Sequence, residues 1–343
     1  MDLKKMSREK YGVLSIIVLT YNRKHLLHGC LDSLFSQTVS RENLQIIVVD
    51  DGSTDGTEDM MRELSPRQLG LRYCRQTHKG IPAARNTGIV NASGDIIAIV
   101  ADDYLLGPDY AETIIRFFQE NPGAMVVRFK IIAAENDFAS RVSHFYFDVS
   151  VRRRLSCEET AGKHWIENLR RKWQKLPVVE EQITTQHDLE AAGGAAFKRE
   201  VFQKIGFFDK SLLRAEDTDM TRRLRAEGIP VYYYPYHQIR HRYGRRSIFD
   251  TARKCFATGR NRWRYHKKYS NDSVSSFRLI VWGIMEKSGA LLNAFWRARQ
   301  TKSVKEFLLY LPFMFLFEIS NKLGFFWSVF MSKKNSTDST GRS

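Results

Sequence analysis

The sequence predicts an α/β protein whose core is a doubly wound, mostly parallel β-sheet flanked by helices. Hydrophobic runs rich in branched residues recur at 13–19, 44–49 and 96–100, and each has the length of a buried parallel strand. Segments with helical signals separate these runs, which gives a β-α-β-α-β-α-β series up to residue 100. Such alternation is typical of a parallel sheet with right-handed crossovers.

The individual elements follow in order. The first helix places Leu27, Leu31, Leu34 and Phe35 on one face. The next elements are a helix through 60–64, a short strand at 71–73 and a helix over 81–90 with a proline in its first turn. The regular alternation weakens after Pro122, where we predict helices at 200–205 and 216–224 and a strand at 231–234.

Composition restricts the class of protein. The chain has 343 residues, 43% hydrophobic and 27% charged, as expected for a globular protein. Its net charge of +16 lies entirely beyond residue 124, which favours an anionic partner such as nucleic acid, anionic lipid or a phosphorylated substrate. The four cysteines form no C-x-x-C pair, and the first eleven residues contain no apolar signal segment, so we expect a cytoplasmic protein without structural zinc.

Paired aspartates follow two of the predicted strands. Asp50 and Asp51 follow the predicted strand at 44–49, and Asp102 and Asp103 follow the one at 96–100. Because the carboxyl ends of parallel strands meet at one edge of a sheet, these pairs should lie together, where a cation, a ribose or both would bind. Mg²⁺ or Mn²⁺ could bridge the second pair to a diphosphate. The alternative is that the aspartates only cap turns.

Other candidate residues have two interpretations each. Tyr21 could offer its ring to a nucleobase or pack under the sheet edge. Asp217, beside Glu216 at a predicted helix start, could act as a general base or simply favour the helix dipole. His241 could complete a metal site or be an ordinary surface or packing residue.

Five short motifs, in a fixed order and spacing, resemble those of inverting family-2 glycosyltransferases of the GT-A fold. They are the segments 15–22, 47–57, 83–88, 101–103 and 216–219. The resemblance extends over about residues 12–265. It departs from the family at Ala101, where many members have a third aspartate.

The resemblance implies roles for residues on the donor side. Asp51 would contact the nucleotide base, with Tyr21 nearby. Asp102 would meet the ribose or the metal, Asp103 would bind Mn²⁺ or Mg²⁺ at the diphosphate, and Arg85 would lie by the phosphates or the sugar. The implied donor is a nucleotide sugar, with uridine as the family's commonest base.

The resemblance also assigns residues around the transferred sugar. Gly193, Gly194 and Glu216 would line the pocket for acceptor and donor sugar, Asp217 would be the catalytic base, and His241 would be a second metal ligand. The implied reaction is one in-line displacement with inversion. The segment 259–263 resembles the Q-x-x-R-W motif of processive synthases, but a glycine replaces the glutamine, which argues against a processive enzyme.

The last part of the chain has membrane-like composition. An apolar run at 307–317 contains Pro312 and is followed by a polar break at 318–322, which argues against a spanning helix. With flanking cations, we expect in-plane helices on an anionic, cytoplasmic membrane face. A packed helical cap or a dimer contact is the alternative.

These features predict three functional parts. Residues 1–124 would bind the nucleotide sugar, 125–265 would bind the acceptor and supply the base, and 266–343 would form the helical extension, with a polar tail after residue 333. The acceptor would be a glycan or lipid-linked molecule in surface-polysaccharide synthesis. The alternatives are a basic nucleic-acid-binding protein, which the ordered acidic motifs oppose, and a non-catalytic glycan-binding scaffold. The oligomeric state stays open.

Overall fold

The computed structural model describes residues 13–134, 137–146, 183–186, 189, 192–242, 247–269 and 304–340. These residues fall into two compact units. The first contains the described residues up to 134 together with those from 183 to 242, and the second contains 137–146 and everything described from 247 onward. The functional boundaries expected after residues 124 and 265 stay predictions.

The first half of the sheet in the first unit is parallel, as predicted. Its strands lie in the order β3-β2-β1-β4, and their bounds are β1 Leu14–Thr20, β2 Leu44–Asp50, β3 Leu71–Arg75 and β4 Ile96–Ala101. The helices between them are α1 Lys24–Phe35, α2 Thr57–Leu64 and α3 Ile81–Asn91. The doubly wound α/β fold is therefore confirmed.

The branched strands build a core on each face of the sheet. In β1, Ile16 and Val18 pack into the cluster beneath α1 and α2, while Ile17 packs into the cluster beneath α3. Successive side chains of a strand point to opposite faces, so a run that is apolar at every position is buried on both. Gly88 of α3 lies so close to β1 that an added Cβ would be 2.3 Å from Ile17 Cγ2.

The second half of the sheet is mixed. Its elements are β5 Tyr104–Leu105, α4 Tyr110–Glu120, β6 Val126–Ala133, β7 Thr184–Gln186, β8 Ala195–Lys198, α5 Glu200–Ile205, α6 Glu216–Ala226 and β9 Val231–His241. β8 lies between β4 and β6 and is antiparallel to both, whereas β6 and β9 run parallel with a register shift after Phe129. β9 extends seven residues beyond the predicted strand, and this extension brings His241 next to β5.

The second unit consists of helices in its described part. Residues 138–146 are helical, and α7 Ile248–Tyr269 and α8 Val304–Thr340 follow. The interruption expected at Pro312 and at 318–322 is wrong, because α8 is continuous and its portion Val304–Met331 is long and apolar enough to cross a membrane. A proline removes one backbone hydrogen bond, and here Phe307, Tyr310, Met314 and Phe317 pack on both sides of it.

Two glycines hold α7 and α8 in close contact. A Cβ added to Gly259 of α7 would overlap the carbonyl oxygen of Asn321, and one added to Gly324 of α8 would overlap that of Phe256. The Asn321 side chain also donates a hydrogen bond to the Cys255 carbonyl at 3.1 Å. Any side chain at 259, a glutamine included, would push these helices apart, which explains the departure from Q-x-x-R-W.

Candidate active site

The two aspartates that end β2 have different surroundings. Asp50 is fully buried, and its carboxylate accepts hydrogen bonds from the Ser53 N–H at 2.8 Å and the Tyr73 hydroxyl at 2.7 Å. Burial and the Asp50 hydrogen bond raise the pKa of Tyr73, so its hydroxyl remains a donor. Asp50 therefore fixes the turn after β2.

Asp51 faces the neighbouring loop. It accepts hydrogen bonds from the backbone N–H groups of Lys79 and Gly80, each at 2.8 Å, and from the Gln76 amide at 2.7 Å. His78 Nδ1 lies 2.8 Å from the same carboxylate. Asp51 thus anchors the loop that leads into α3.

Tyr21 joins this group through His78. The two rings are stacked with centroids 4.1 Å apart, and Tyr21 is 42% exposed, so its ring is not packed under the sheet edge. The structure therefore brings Tyr21 and Asp51 together on either side of His78.

The turn between Tyr21 and Arg23 has a special backbone. Asn22 has a positive φ of 52°, which is uncommon for a residue other than glycine. Its backbone N–H donates to Ser53 Oγ at 2.8 Å, and its side-chain oxygen accepts from the Thr54 N–H at 2.7 Å. These bonds fasten the end of β1 to the loop after β2.

Asp102 and Asp103 are bridged by a cation from the protein. Arg23 Nη1 lies 3.1 Å from Asp102 Oδ1 and 2.9 Å from Asp103 Oδ2, and the Thr20 hydroxyl donates to Asp102 at 2.9 Å. Burial raises the pKa of Asp102 to about 6, with Arg23 opposing the rise and Asp103 adding to it. Two buried carboxylates so close together attract positive charge.

His241 lies beside this pair. Its Nε2 is 3.2 Å from Asp103 Oδ2, and its ring meets the edge of Tyr104 with centroids 5.0 Å apart. The position follows from the sheet, because β5 pairs with β9 so that Tyr104 is opposite His241. The predicted grouping of Asp102, Asp103 and His241 is therefore present in the structure.

The two predicted glycines have different neighbours. A Cβ on Gly193 would be 3.3 Å from the Tyr104 hydroxyl, so Gly193 lies beside the tyrosine that contacts His241. Gly194 has a positive φ of 86°, and a Cβ there would press on Ile131 and Ile239. Its backbone N–H donates to the Ile99 carbonyl at 2.7 Å, so Gly194 shapes the sheet rather than facing a ligand.

A second acidic group lies at the start of α6. Arg85 of α3 is buried and donates from Nη1 to Glu216 at 2.9 Å and to Asp217 at 2.6 Å. Asp217 Oδ1 also accepts from the Ala192 N–H at 3.2 Å. Burial, followed by the charge of Asp217, raises the pKa of Glu216 to about 7, and Arg85 opposes the rise.

Arg85 is therefore placed at the candidate base. The predicted site residues thus form three contiguous sets: Tyr21 with Asp51, Asp102 with Asp103 and His241, and Arg85 with Glu216 and Asp217.

Four residues of this region were missed by the sequence analysis. Arg23 and Tyr104 directly adjoin predicted residues, since Arg23 follows the motif that ends β1 and Tyr104 follows the aspartate pair. Asn86 adjoins Arg85, and its side-chain amide exchanges two hydrogen bonds with the Phe208 backbone, at 2.8 Å and 3.0 Å. His78 carried no signal, because its stacking on Tyr21 depends on a contact distant in sequence.

The donor atoms near Asp103 fit a divalent cation in part. Carboxylate oxygens and an imidazole nitrogen suit Mn²⁺ or Mg²⁺. Within the described part of the chain, no three His, Cys, Asp or Glu side chains are grouped so that they could hold a metal by themselves. Since Mg²⁺ commonly takes one or two carboxylates together with substrate phosphates, the fit is to a cation that shares its ligands with a diphosphate.

The fold and family are shown by comparison. The sheet order and flanking helices are those of the GT-A fold, shared with the solved mannosyltransferase PcManGT from Pyrobaculum calidifontis in complex with GDP-Man and Mn²⁺ (TM-score 0.58, 19% identity, covering 94% of this chain and 92% of that one). The chain belongs to glycosyl transferase family 2, whose family model matches residues 15–206.

Curated relatives extend beyond the part that is matched. Glycosyltransferase GlyA of Streptococcus pneumoniae is 30% identical over 200 residues, which are 57% of this chain and 25% of GlyA. Glucosyl-dolichyl phosphate glucuronosyltransferase of Haloferax volcanii is 23% identical over 239 residues, 69% of this chain and 66% of that protein. The chain therefore spans less than two thirds of each relative.

Proposed function

We propose that this protein transfers a sugar from a nucleotide-diphosphate donor to an acceptor hydroxyl with inversion, and that it requires Mn²⁺ or Mg²⁺. The observation that supports this most is the presence of two acidic groups in the first unit: Asp103 beside His241 just after β4, and Asp217 held by Arg85 at the start of α6. A transferase needs both a site for a leaving diphosphate and a base for the incoming hydroxyl. Family membership supports the same reaction class.

The nucleotide base is proposed to bind at Tyr21. Its exposed ring offers an aromatic face, and Asp51 lies behind it, holding the loop of Lys79 and Gly80. Contact between Asp51 and the base would add to this anchoring role. Uracil is the proposed base, so the proposed donor is a UDP-sugar.

The diphosphate is proposed to bind with a divalent cation held by Asp103 and His241, while Asp102 binds the ribose or the cation. When bound, such a cation stabilises negative charge on the departing nucleoside diphosphate. Arg23 shows that this edge accommodates a positive group between the two carboxylates. The relative PcManGT was solved with Mn²⁺, which supports this proposal.

Asp217 is the proposed catalytic base. Within the described residues, both hydrogen bonds to its carboxylate end on Oδ1, from Arg85 and from the Ala192 N–H, which leaves Oδ2 for an acceptor hydroxyl. Arg85 and the Ala192 N–H fix the carboxylate in place, and positioning of this kind contributes much of the effect of a general base. Gly193, beside Tyr104, would allow the sugar to approach closely.

The acceptor is proposed to be a glycan or lipid-linked molecule used in surface-polysaccharide synthesis, with the protein on the cytoplasmic face of a membrane. The apolar helix α8 supports membrane association. The Haloferax relative, whose name includes a dolichyl phosphate, supports a lipid-linked acceptor. We propose no role in nucleic-acid binding.

Calorimetry with UDP, GDP, dTDP and CMP, each with and without Mn²⁺, tests the donor site. We expect one nucleotide to bind only with metal, and Asp103→Ala to lose this binding. The matched control is Asp95→Ala, an exposed aspartate just before β4, which should bind normally. Failure of every nucleotide to bind wild-type protein would instead favour a non-catalytic, glycan-binding scaffold.

Asp217→Asn tests the base separately. Because the amide keeps the shape of the side chain but cannot accept a proton, nucleotide and metal binding should persist while sugar transfer stops. Transfer would be followed by release of the nucleoside diphosphate. Turnover at the wild-type rate in this variant would remove Asp217 as the base.

A further inference from the structure

In the described part of the second unit, α8 exposes a long apolar face. Between residues 308 and 331, every exposed residue of α8 is apolar. We call this the outer face, and its main members are Leu308, Phe315, Ile319, Leu323, Trp327 and Phe330. At 1.5 Å per residue it is about 35 Å long. An exposed apolar face of this size requires an apolar partner.

The opposite face of α8 is packed within the same unit. Its buried residues Phe307, Tyr310, Met314, Phe317 and Gly324 follow spacings of three, four and seven, which lie on one side of a helix. The first four pack with residues of 138–146 and of α7, and the last lies in the glycine contact with α7.

α7, in contrast, is strongly cationic. It contains seven Lys and Arg residues and one acidic residue. Arg253, Arg260, Arg264, Lys267 and Lys268 are exposed. The Gly259 and Gly324 contacts leave no gap between the two helices. The charges of α7 therefore stay next to the middle of α8, whatever surroundings α8 enters.

We propose that α8 lies parallel to the plane of an anionic bilayer, with the outer face embedded in lipid and the cations of α7 at the headgroups. A membrane-spanning α8 would draw the charged α7 into the hydrocarbon, where cations are costly. An in-plane helix avoids this and gains electrostatic attraction from the same residues. This inference deepens the proposed membrane association and is independent of the proposed reaction.

Charge also favours lipid over a second copy of the chain. A second copy would add another strongly cationic α7 and no excess of acidic groups to pair with the first. An anionic lipid surface neutralises the cations of α7 instead. Trp327, 54% exposed on the outer face, is of a residue type enriched at membrane interfaces.

The test measures the depth of the outer face along its length. Single cysteines replace Leu309, Ile319 and Phe330 in full-length protein whose Cys74 and Cys157 are changed to serine, and each carries a fluorophore sensitive to its surroundings. The protein is bound to vesicles of phosphatidylglycerol and phosphatidylcholine containing lipids with quenchers at known depths. In-plane binding predicts the same shallow depth for all three labels.

Other outcomes overturn the proposal. A central label deeper than the two end labels would show a spanning helix. No quenching by lipid at any depth, with the protein dimeric, would show that a second copy covers the face. Calorimetric nucleotide binding is measured on the same preparations, so that failure of the membrane proposal is separate from failure of the proposed reaction.

Charge substitutions provide a second test. Leu323→Glu should reduce partition into these vesicles about tenfold or more, because a carboxylate enters the apolar layer. The matched control is Leu69→Glu, an even more exposed leucine in the first unit, which should partition like wild type. Lys267→Glu should weaken binding to anionic vesicles but not to phosphatidylcholine alone. Equal partition of Leu323→Glu and wild type would refute the embedded face.

Discussion

Replacing Glu216 with glutamine should change how the stability of this protein depends on pH. Glu216 is 4% exposed at the start of α6 and accepts a hydrogen bond from Arg85 at 2.9 Å. Burial and the neighbouring Asp217 raise its pKa from the usual 4.5 to about 7. Glutamine keeps the size and the accepting oxygen but has no proton to lose.

The size and sign of the effect follow from linkage. Folding favours the protonated form of Glu216, so its contribution to stability is fully present below pH 4.5 and is lost as the pH rises toward 7. A shift of this size corresponds to about 3 kcal/mol. The unfolding free energy of Glu216→Gln, relative to wild type, should therefore rise by about 3 kcal/mol between these limits and stay constant above them.

Urea denaturation at a series of pH values measures this difference, since all other titrating groups are common to both proteins and largely cancel. Glu227→Gln, which removes an exposed carboxylate just beyond the same helix, is the control and should show no such rise. If the curves for wild type and Glu216→Gln run parallel from pH 4 to pH 8, then folding does not favour the protonated carboxyl and the argument is wrong.

Three further substitutions test packing and buried hydrogen bonds. Gly88→Ala should lower the free energy of unfolding by about 2 kcal/mol or more, measured by thermal unfolding, because the added Cβ overlaps β1. The control is Gly123→Ala, whose Cβ would meet nothing within 4 Å and which should leave stability unchanged. Equal effects of the two substitutions would contradict the close packing at Gly88. Gly259→Ala should separate α7 from α8 and lower the melting temperature, and an unchanged melting curve would show that the helices are not in this contact. Asn86→Ala should cost about 3 kcal/mol in urea denaturation, because the Phe208 backbone loses both partners; a loss no larger than that of an exposed substitution would refute it.

The parallel half of the fold was predictable because the patterns that indicate its strands and helices lie within short stretches of the sequence. Most parallel strands are continuous branched runs, and the helices between them have helical spacing or a proline in the first turn, so the parallel, alternating character of this half followed from pattern alone. The antiparallel insertion of β8 between β4 and β6 was not predictable. A short apolar strand has no sequence feature that specifies its direction, which depends on partners far away in the chain.

The acidic clusters were predictable for a similar reason, since aspartates at strand ends need no knowledge of distant contacts. Their individual roles needed the structure. Asp50 and Asp51 are adjacent in sequence, yet one bonds inward to Tyr73 and the other to the loop of Lys79 and Gly80. Asp50 is the last residue of β2 and Asp51 begins the turn after it, so a motif identifies the pair but not which member faces a ligand.

The continuity of α8 escaped prediction because helix-breaking signals compete with packing. Pro312 and the polar residues after Phe317 read as an interruption. The structure shows that Phe307, Tyr310 and Phe317 pack against neighbouring helices, and tertiary contacts of this kind outweigh local propensity.

The turn at Asn22 makes the effects of its two neighbours separable. Tyr21 and Arg23 flank Asn22 on its two sides. Tyr21 stacks on His78, whereas Arg23 pairs with Asp103. Substitutions at Tyr21 and Arg23 share no partner, so their effects on ligand affinity should be additive in the double variant.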